Sequence, residues 1–281
     1  RIIVVDKSSF TAFVSTYGSF GSNTTNFYQI YQIANDKNYI YVCDFGNHRV
    51  KKHKKPRLDF VASFGTLGRG TTSFHCPTGI AVDEKFLYVA NDGNARINKM
   101  DKSTGAFVSS VDINLNTIGD TTLAVDQSYL YAAYNSIDRG SVDFLEVVLE
   151  KRLKSNFDLI QKTVIKPFGS VALSSYALLG DISISDDYIY ISFTDDIGNR
   201  INNFIQKRLK SDFTLVKEYR SVYHHYAIAY NGLAFEPKRK TLQREIGVEG
   251  GVYFQARYSE SDLDNNLRLF NQSIEMIPET R

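Results

Sequence analysis

The chain has 281 residues, 43% hydrophobic and 23% charged, enough to bury a sizeable core as one large all-β domain or two smaller ones. Its 33 basic and 31 acidic side chains leave a net charge of +2, which excludes the broad positive field of a dedicated nucleic-acid binder, so no nucleic-acid partner is expected. No apolar run nears the roughly 18–20 residues that span a bilayer, so no membrane insertion is expected, and two cysteines are too few for a disulfide framework or a structural zinc site.

In chain order, "RIIVV" (1–5) reads as a strand that opens the hairpin "VVDKSSFTAFVSTYG" (4–18). Then "YQIANDKNYIYVCDFGNHRV" (31–50) supplies a strand, a tight polar turn, a second strand containing Tyr and an Asp/Asn-rich corner, and "KKHKKPRLDFVASFG" (51–65) supplies a second hairpin. The unit returns as "TGIAVDEKFLYVANDGNARI" (78–97) with "NKMDKSTGAFVSSVD" (98–112), and as "TTLAVDQSYLYAAYNSIDRG" (121–140) with "EKRLKSNFDLIQKTV" (150–164). It returns again as "GDISISDDYIYISFTDDIGNRI" (180–201) with "QKRLKSDFTLVKEYR" (206–220). A last copy, residues 231–269 with a charged insertion at 237–250, precedes "LFNQSIEMIPETR" (269–281).

With Asp36, Asp83, Asp126 and Asp186 as turn markers the spacings are 47, 43 and 60 residues, and "KRLKS" recurs at an offset of 56. A period of about 40–50 residues carrying four strands is the mark of a β-propeller blade, with strands a to d running from the axis outward. Five inner a–b hairpins but six outer c–d hairpins predict a single domain over 1–281: a six-bladed propeller with five complete blades and a partial one. About 30 further residues beyond either end would complete it. The alternatives are a five-bladed ring with a surplus hairpin, or a sixth blade completed by another molecule. The chain opens on Arg1 and not on Met, so an artificial boundary, a cleaved leader or a trimmed precursor is expected.

"PTGIAVDEKFLYVANDGNARI" (77–97), "DFGNHRV" (44–50) and "FVASFGTLGRGTTSFHCPTGIAV" (60–82) resemble NHL repeats. Such blades run from a Pro-x-Gly-Ile-Ala-Val-Asp strand through a Tyr-Val-Ala-Asp strand and an Asn-His-Arg corner to a Phe-Gly exit. The likeness is close over 30–111, recognisable at 1–27 and looser from 121 onward, where "YNSIDRG" lacks the corner. It implies that Asp44 and Asn47 cap the b–c corner while Arg49 pairs between blades, with Asn94-Ala95-Arg96 and Asn199-Arg200 as later copies. A ligand role for His48 is the alternative. The resemblance also reaches a zinc-dependent amidating lyase and, among related six-bladed propellers, calcium-dependent lactonases, whose chemistry needs a metal with Arg or Tyr, or Glu and Asn ligands. No matching set stands out, nor does a Ser/His/Asp or Cys/His arrangement.

In propellers the d–a and b–c loops form the face that carries function. Here it collects Asp44, Asp92, Asn94, Asn135, Asp195 and Asp196 from corners, and His75, Cys76, His224 and His225 from d–a connections. The binding candidates are His75, Asp92, Asp195, His224 and His225. His75, His224 and His225 could ring a channel ion, zinc or copper, and calcium enters through the lactonase likeness. No local ligand spacing supports one, and the expectation is no cofactor.

"KKHKKPR" (51–57) invites a nucleic-acid reading, but it and both "KRLKS" copies fall on outer hairpins, where lysines act as gatekeepers against edge-to-edge pairing. Cys43 and Cys76 are expected on one face in adjacent blades, bridged if their Cα atoms come within about 7 Å, otherwise reduced. The sequons Asn23-Thr24-Thr25 and Asn271-Gln272-Ser273 fit an extracellular protein, although such triplets also arise by chance in an Asn-rich chain. The expected function is a non-catalytic binding or assembly module. It would recognise a protein, a glycan or a neighbouring subunit through its loop face or open strand edges. A metal-dependent lyase or lactonase is the alternative.

Overall fold

The second strand of each unit is buried on both sides, which is why it reads as an unbroken apolar run instead of an alternating one. In "YIYVC", Ile40 and Val42 face Ile2, Phe27 and Leu58, whereas Tyr41 and Cys43 face Ile80, Leu87 and Val89 of the next unit. The computed structural model describes residues 2–5, 13–113, 121–137, 145–165, 178–196, 201–221 and 253–254.

The strands are β1 (Ile2–Val5), β2 (Phe13–Tyr17), β3 (Ile30–Asn35), β4 (Tyr39–Asp44), β5 (Arg49–Lys54) and β6 (Asp59–Phe64). They continue with β7 (Pro77–Val82), β8 (Phe86–Asn91), β9 (Arg96–Asp101), β10 (Phe107–Asp112), β11 (Thr122–Val125), β12 (Tyr129–Ile137), β13 (Leu145–Leu153) and β14 (Leu159–Ile165). The last are β15 (Leu178–Ile184), β16 (Tyr188–Asp196), β17 (Ile201–Leu209), β18 (Leu215–Ser221) and β19 (Tyr253–Phe254).

Four antiparallel sheets of four strands follow chain order: β3 to β6, β7 to β10, β11 to β14 and β15 to β18. Their first strands pack side by side in the order β3, β7, β11, β15, and an apolar layer fills each gap between neighbouring sheets. These are the blades of a β-propeller, numbered here one to four.

The described residues do not form the six blades expected. Among the described residues there are four four-stranded blades and one three-stranded sheet, in the order β19-β1-β2. The unpaired first strand that prompted the higher count takes its neighbour from the opposite end of the sequence: Ile3 pairs with Phe254 and Val4 with Tyr253. The segments at 231 and 269–281, expected as an inner strand and a further outer hairpin, lie outside the described residues.

One turn marker also moves. Asp36, Asp83 and Asp126 each donate a backbone N–H to the carbonyl three residues on, and in blade four Ser185 does this, toward Tyr188, instead of Asp186.

Apart from exposed Lys54, the lysines of the basic runs do not stand as gatekeepers on outer strands. Lys51 and Lys52 lie on the third strand and are buried. Lys51 Nζ donates to the carbonyls of Asn23, Thr24 and Asn26, and Lys52 Nζ donates to the Lys102 carbonyl at 3.0 Å while lying 4.3 Å above the Tyr39 ring. Lys102, Lys154 and Lys210, at the hairpin tips, reach back to the turn acids of the preceding blade, Asp36 (2.9 Å), Asp83 (2.9 Å) and Asp126 (2.7 Å). The outer edges are blunted by backbone instead. In β6, β10, β14 and β18 the register slips at the same place, leaving Val61, Val108, Ile160 and Val216 as the extra residues of β-bulges. A bulge bends the strand and spoils its edge as a template.

Candidate functional site

The b–c corner of blade one is a polar knot built on a buried carboxylate. After β4 a single 3-10 turn, Phe45–Asn47, ends at His48 in the left-handed region (φ 54°), where its N–H returns to the Phe45 carbonyl. Asp44 Oδ1 accepts from the Tyr28 N–H (2.7 Å) and Asn47 Nδ2 (3.0 Å), and its Oδ2 accepts from Arg49 Nε (2.8 Å). Asn47 Nδ2 and Arg49 Nη2 also donate to the carbonyls of Gly21 (2.9 Å) and Asn23 (3.0 Å). The corner therefore holds the connection entering the blade.

Blade two repeats the arrangement with Asn91 in place of Asp44: Asn91 Oδ1 accepts from His75 N–H (2.8 Å), and Asn94 Nδ2 donates to the Gly68 carbonyl (2.8 Å). Both connections turn at a glycine with φ +84°, Gly18 and Gly65, and a Cβ on Gly18 would lie 2.6 Å from the Phe27 ring.

Two of the five nominated binding residues sit beside this corner. His75 Nδ1 lies 3.2 Å from the Gly93 carbonyl, so that nitrogen carries the proton. The His48 ring, 5.6 Å away, accepts the Cys76 N–H on Nδ1 (3.1 Å) and so carries its proton on Nε2. Burial, then the proximity of His75, lowers the His48 pKa. Cys76 Sγ is 3.9 Å from His48 Nδ1, but burial and then Asp92 push this thiol up, away from the thiolate a nucleophile needs. Both cysteines are free, with Cys43 buried and its Sγ 3.6 Å from the Gly79 carbonyl.

Asp92 is buried and its Oδ2 accepts the Thr121 N–H (3.0 Å), which ties blade two to the entrance of β11. Asp195 lies near the end of β16, paired in register with Asn202, on strands that run on where blades one and two turn. His224 and His225 lie outside the described residues. Among the described residues no group of three or more His, Cys, Asp or Glu side chains could hold a metal ion.

Sequence reasoning passed over a second cluster, at the axis. The position four residues before each turn marker is occupied by Gln32, Gly79, Thr122 and Asp181. Gln32 Nε2 donates to Thr122 Oγ1 (2.7 Å) and Asp181 Oδ1 (2.7 Å), and its Oε1 accepts from the Ile80 N–H (2.6 Å). Asp181 Oδ1 also accepts from Thr122 Oγ1 (2.7 Å) and the Ile182 N–H (2.8 Å).

Gly79 has no side chain because a Cβ there would lie 2.5 Å from the Thr121 carbonyl of the next strand. Burial pushes the Asp181 carboxyl up to about 6, against the pull of Thr122, Ile182 and Gln32. The cluster can hold or release a proton near neutrality and bonds blade one directly to blade four. The signal that could have found it is a polar or side-chain-free residue recurring at one register position of otherwise apolar strands.

No family model matches the sequence, and no curated protein matches it. Among solved structures the chain is similar to the propeller of Dos1 (11% identity, 73% of this chain and 51% of that one, TM-score 0.46). It is also similar to the Cps50 (Swd1) β-propeller domain of Myceliophteria thermophila (10%, 73% and 57%, 0.45) and to the glutaminyl cyclase of Myxococcus xanthus (13%, 67% and 69%, 0.45). Likeness this distant carries nothing about activity, and the propeller architecture stands on the sheet arrangement itself.

Proposed function

We propose that this chain is a non-catalytic, NHL-like β-propeller that recognises a protein or glycan partner through the loop face of blades one and two. One observation carries the reading: a row of ring-bearing side chains is accessible on a face where Asp44, Asn47, Asn91 and Asn94 are already taken up by hydrogen bonds to the connecting loops. Tyr28 is 41% exposed and covers Gly46 at the first corner, and His75 covers Gly93 at the second, with the His48 ring 5.6 Å from that of His75. Leu67, 64% exposed, stands on the connection leading to His75. Rings with a polar tip on rigid loops suit recognition at little entropic cost. The bulged outer strands favour this face over strand edges, and over self-assembly through them, as the contact.

In this reading the chain works outside the cell, which the two sequons fit. The test is photo-crosslinking from a benzoyl-phenylalanine at position 28, with position 108 on the outer rim as control. Discrete adducts from position 28 alone, lost when His75→Ala is added, are expected; equal labelling from both positions would refute the loop-face reading. Stoichiometric zinc or calcium in the purified protein, with turnover lost on chelation, would favour the lyase or lactonase class instead.

A further inference from the structure

The loop at 17–27 has a twin at 64–74. "YGSFGSNTTNF" and "FGTLGRGTTSF" share the turning glycine, the bridges Phe20 to Phe27 and Leu67 to Phe74, and N–H donation from Gly21 to Phe27 O and from Gly68 to Phe74 O, both 3.1 Å. Each also offers one carbonyl to a corner arginine: Asn23 O to Arg49, and Gly70 O to Arg96. Asn23 thus stands where its twin has glycine, so the loop geometry is reached without a side chain at this position.

The Asn23 side chain is exposed. Oδ1 accepts from the Thr25 N–H (3.0 Å) and Thr25 Oγ1 (3.1 Å), but among the described residues Nδ2 donates no hydrogen bond. In contrast, the Nδ2 groups of Asn26, Asn47, Asn91, Asn94 and Asn98 all donate to backbone carbonyls. Three residues before Asn23, Phe20 is 78% exposed and meets the Tyr28 ring edge-on at 4.9 Å. An aromatic ring that exposed calls for a cover.

We infer that Asn23 is an N-glycan acceptor and that the first sugar of the glycan packs its apolar face on Phe20. The donor is an oligosaccharide carried on a polyprenyl diphosphate. A bond forms between Asn23 Nδ2 and the anomeric carbon, the bond from that carbon to the diphosphate oxygen breaks, polyprenyl diphosphate departs with the electron pair, and one Nδ2 proton passes to a base of the transferase. Nothing is oxidised or reduced. Thr25 supplies the hydroxyl of the Asn-x-Thr sequon and already bonds the acceptor amide. The inference shares the extracellular location with the proposed function but does not depend on a loop-face partner.

The test is peptide mapping of the full chain, from its own source and from a eukaryotic secretory host, after enzymatic glycan release in heavy-oxygen water. Asn23 is expected converted to labelled Asp in most molecules. Asn23→Gln and Thr25→Ala should abolish the label there, and Thr25→Ser should lower it severalfold. Asn23→Gly, copying the twin, should leave the melting temperature within about 2 °C of the unglycosylated protein. Phe20→Ala should keep the glycan yet remove the shift in melting temperature between glycosylated and enzyme-treated protein. An unmodified Asn23 peptide in the source protein overturns the acceptor assignment, and a shift unaffected by Phe20→Ala overturns the stacking.

Discussion

At the scale of single residues, charge in this fold is placed where backbone donors need an acceptor. Asp44 serves the Tyr28 amide, Asn47 and Arg49 at once, and Asn91 serves the equivalent amide in the next blade. Asp44→Asn should therefore cost about 1 kcal/mol, whereas Asp44→Ala, which leaves three part-buried donors without their acceptor, should cost about 3 kcal/mol, read by urea denaturation. Asp181 at the axis works in the opposite sense. Its carboxyl, raised to about 6 from 3.8, stabilises the fold fully only below pH 3.8, and that contribution is lost as pH rises through 6. Asp181→Asn should raise stability at pH 7 by about 1–2 kcal/mol, an advantage that vanishes by about pH 4.

His53 moves the other way. Burial lowers it to about 4 from 6.5, so its contribution is present above pH 6.5 and lost as pH falls through 4. The two groups offset each other in acid, so stability should fall more steeply between pH 6 and 4 in Asp181→Asn than in the unmodified chain.

At the scale of elements, the outer hairpin is one design with interchangeable parts. The residue after the tip takes a positive φ, at Leu58, Gly105, Phe157 and Phe213. Its carbonyl is met in blade one by His53 Nδ1 (3.0 Å), in blade three by Arg152 Nη1 (3.0 Å) and in blade four by Arg208 Nη1 (2.7 Å). His53 is thus a hairpin lock, the counterpart of two arginines. Arg152 also neutralises buried Glu150 at 2.8 Å, whose other oxygen accepts from Tyr134 Oη at 2.7 Å. Arg152→Ala should cost about 3 kcal/mol, while Glu150→Met combined with Arg152→Met should come close to neutral, a contrast that a denaturation series would measure. The bulge beyond the lock, at Val61, Val108, Ile160 and Val216, shows the same economy: one backbone irregularity repeated in four blades protects the outer edge of each.

For the whole molecule, what joins blades is a repeated tie between polar groups set over the apolar layers. Asp36, Asp83 and Asp126 each accept from a tyrosine hydroxyl of their own blade and from the lysine of the next hairpin tip. Burial alone would raise these carboxyls, but Lys102, Lys154 and Lys210 and the turn amides hold them below the usual range. A double-mutant cycle on Lys154→Met and Asp83→Asn should return a coupling of about 1 kcal/mol, reduced by salt because both groups remain partly exposed. A coupling near zero would mean that the apolar layers alone hold the blades in register.

The period, the strand content and the corner pattern were legible in the sequence, because strand b must be apolar on both faces and each turn needs an acceptor just before it. "YIYVC", "FLYVA" and "YLYAA" could hardly be read otherwise. The direction of the lysines was not legible. In a gapless string, a lysine on the third strand looks the same whether it reaches solvent or a carbonyl of the next blade.

The sequence by itself determined that similar four-stranded units repeat, since local pattern and period are written into each unit. Only the tertiary structure decided that β1 pairs with β19, that Gln32 meets Thr122 and Asp181, and that His48 faces His75. Those are encounters between distant parts of the chain, set by how the blades close around the axis, and no local periodicity records them.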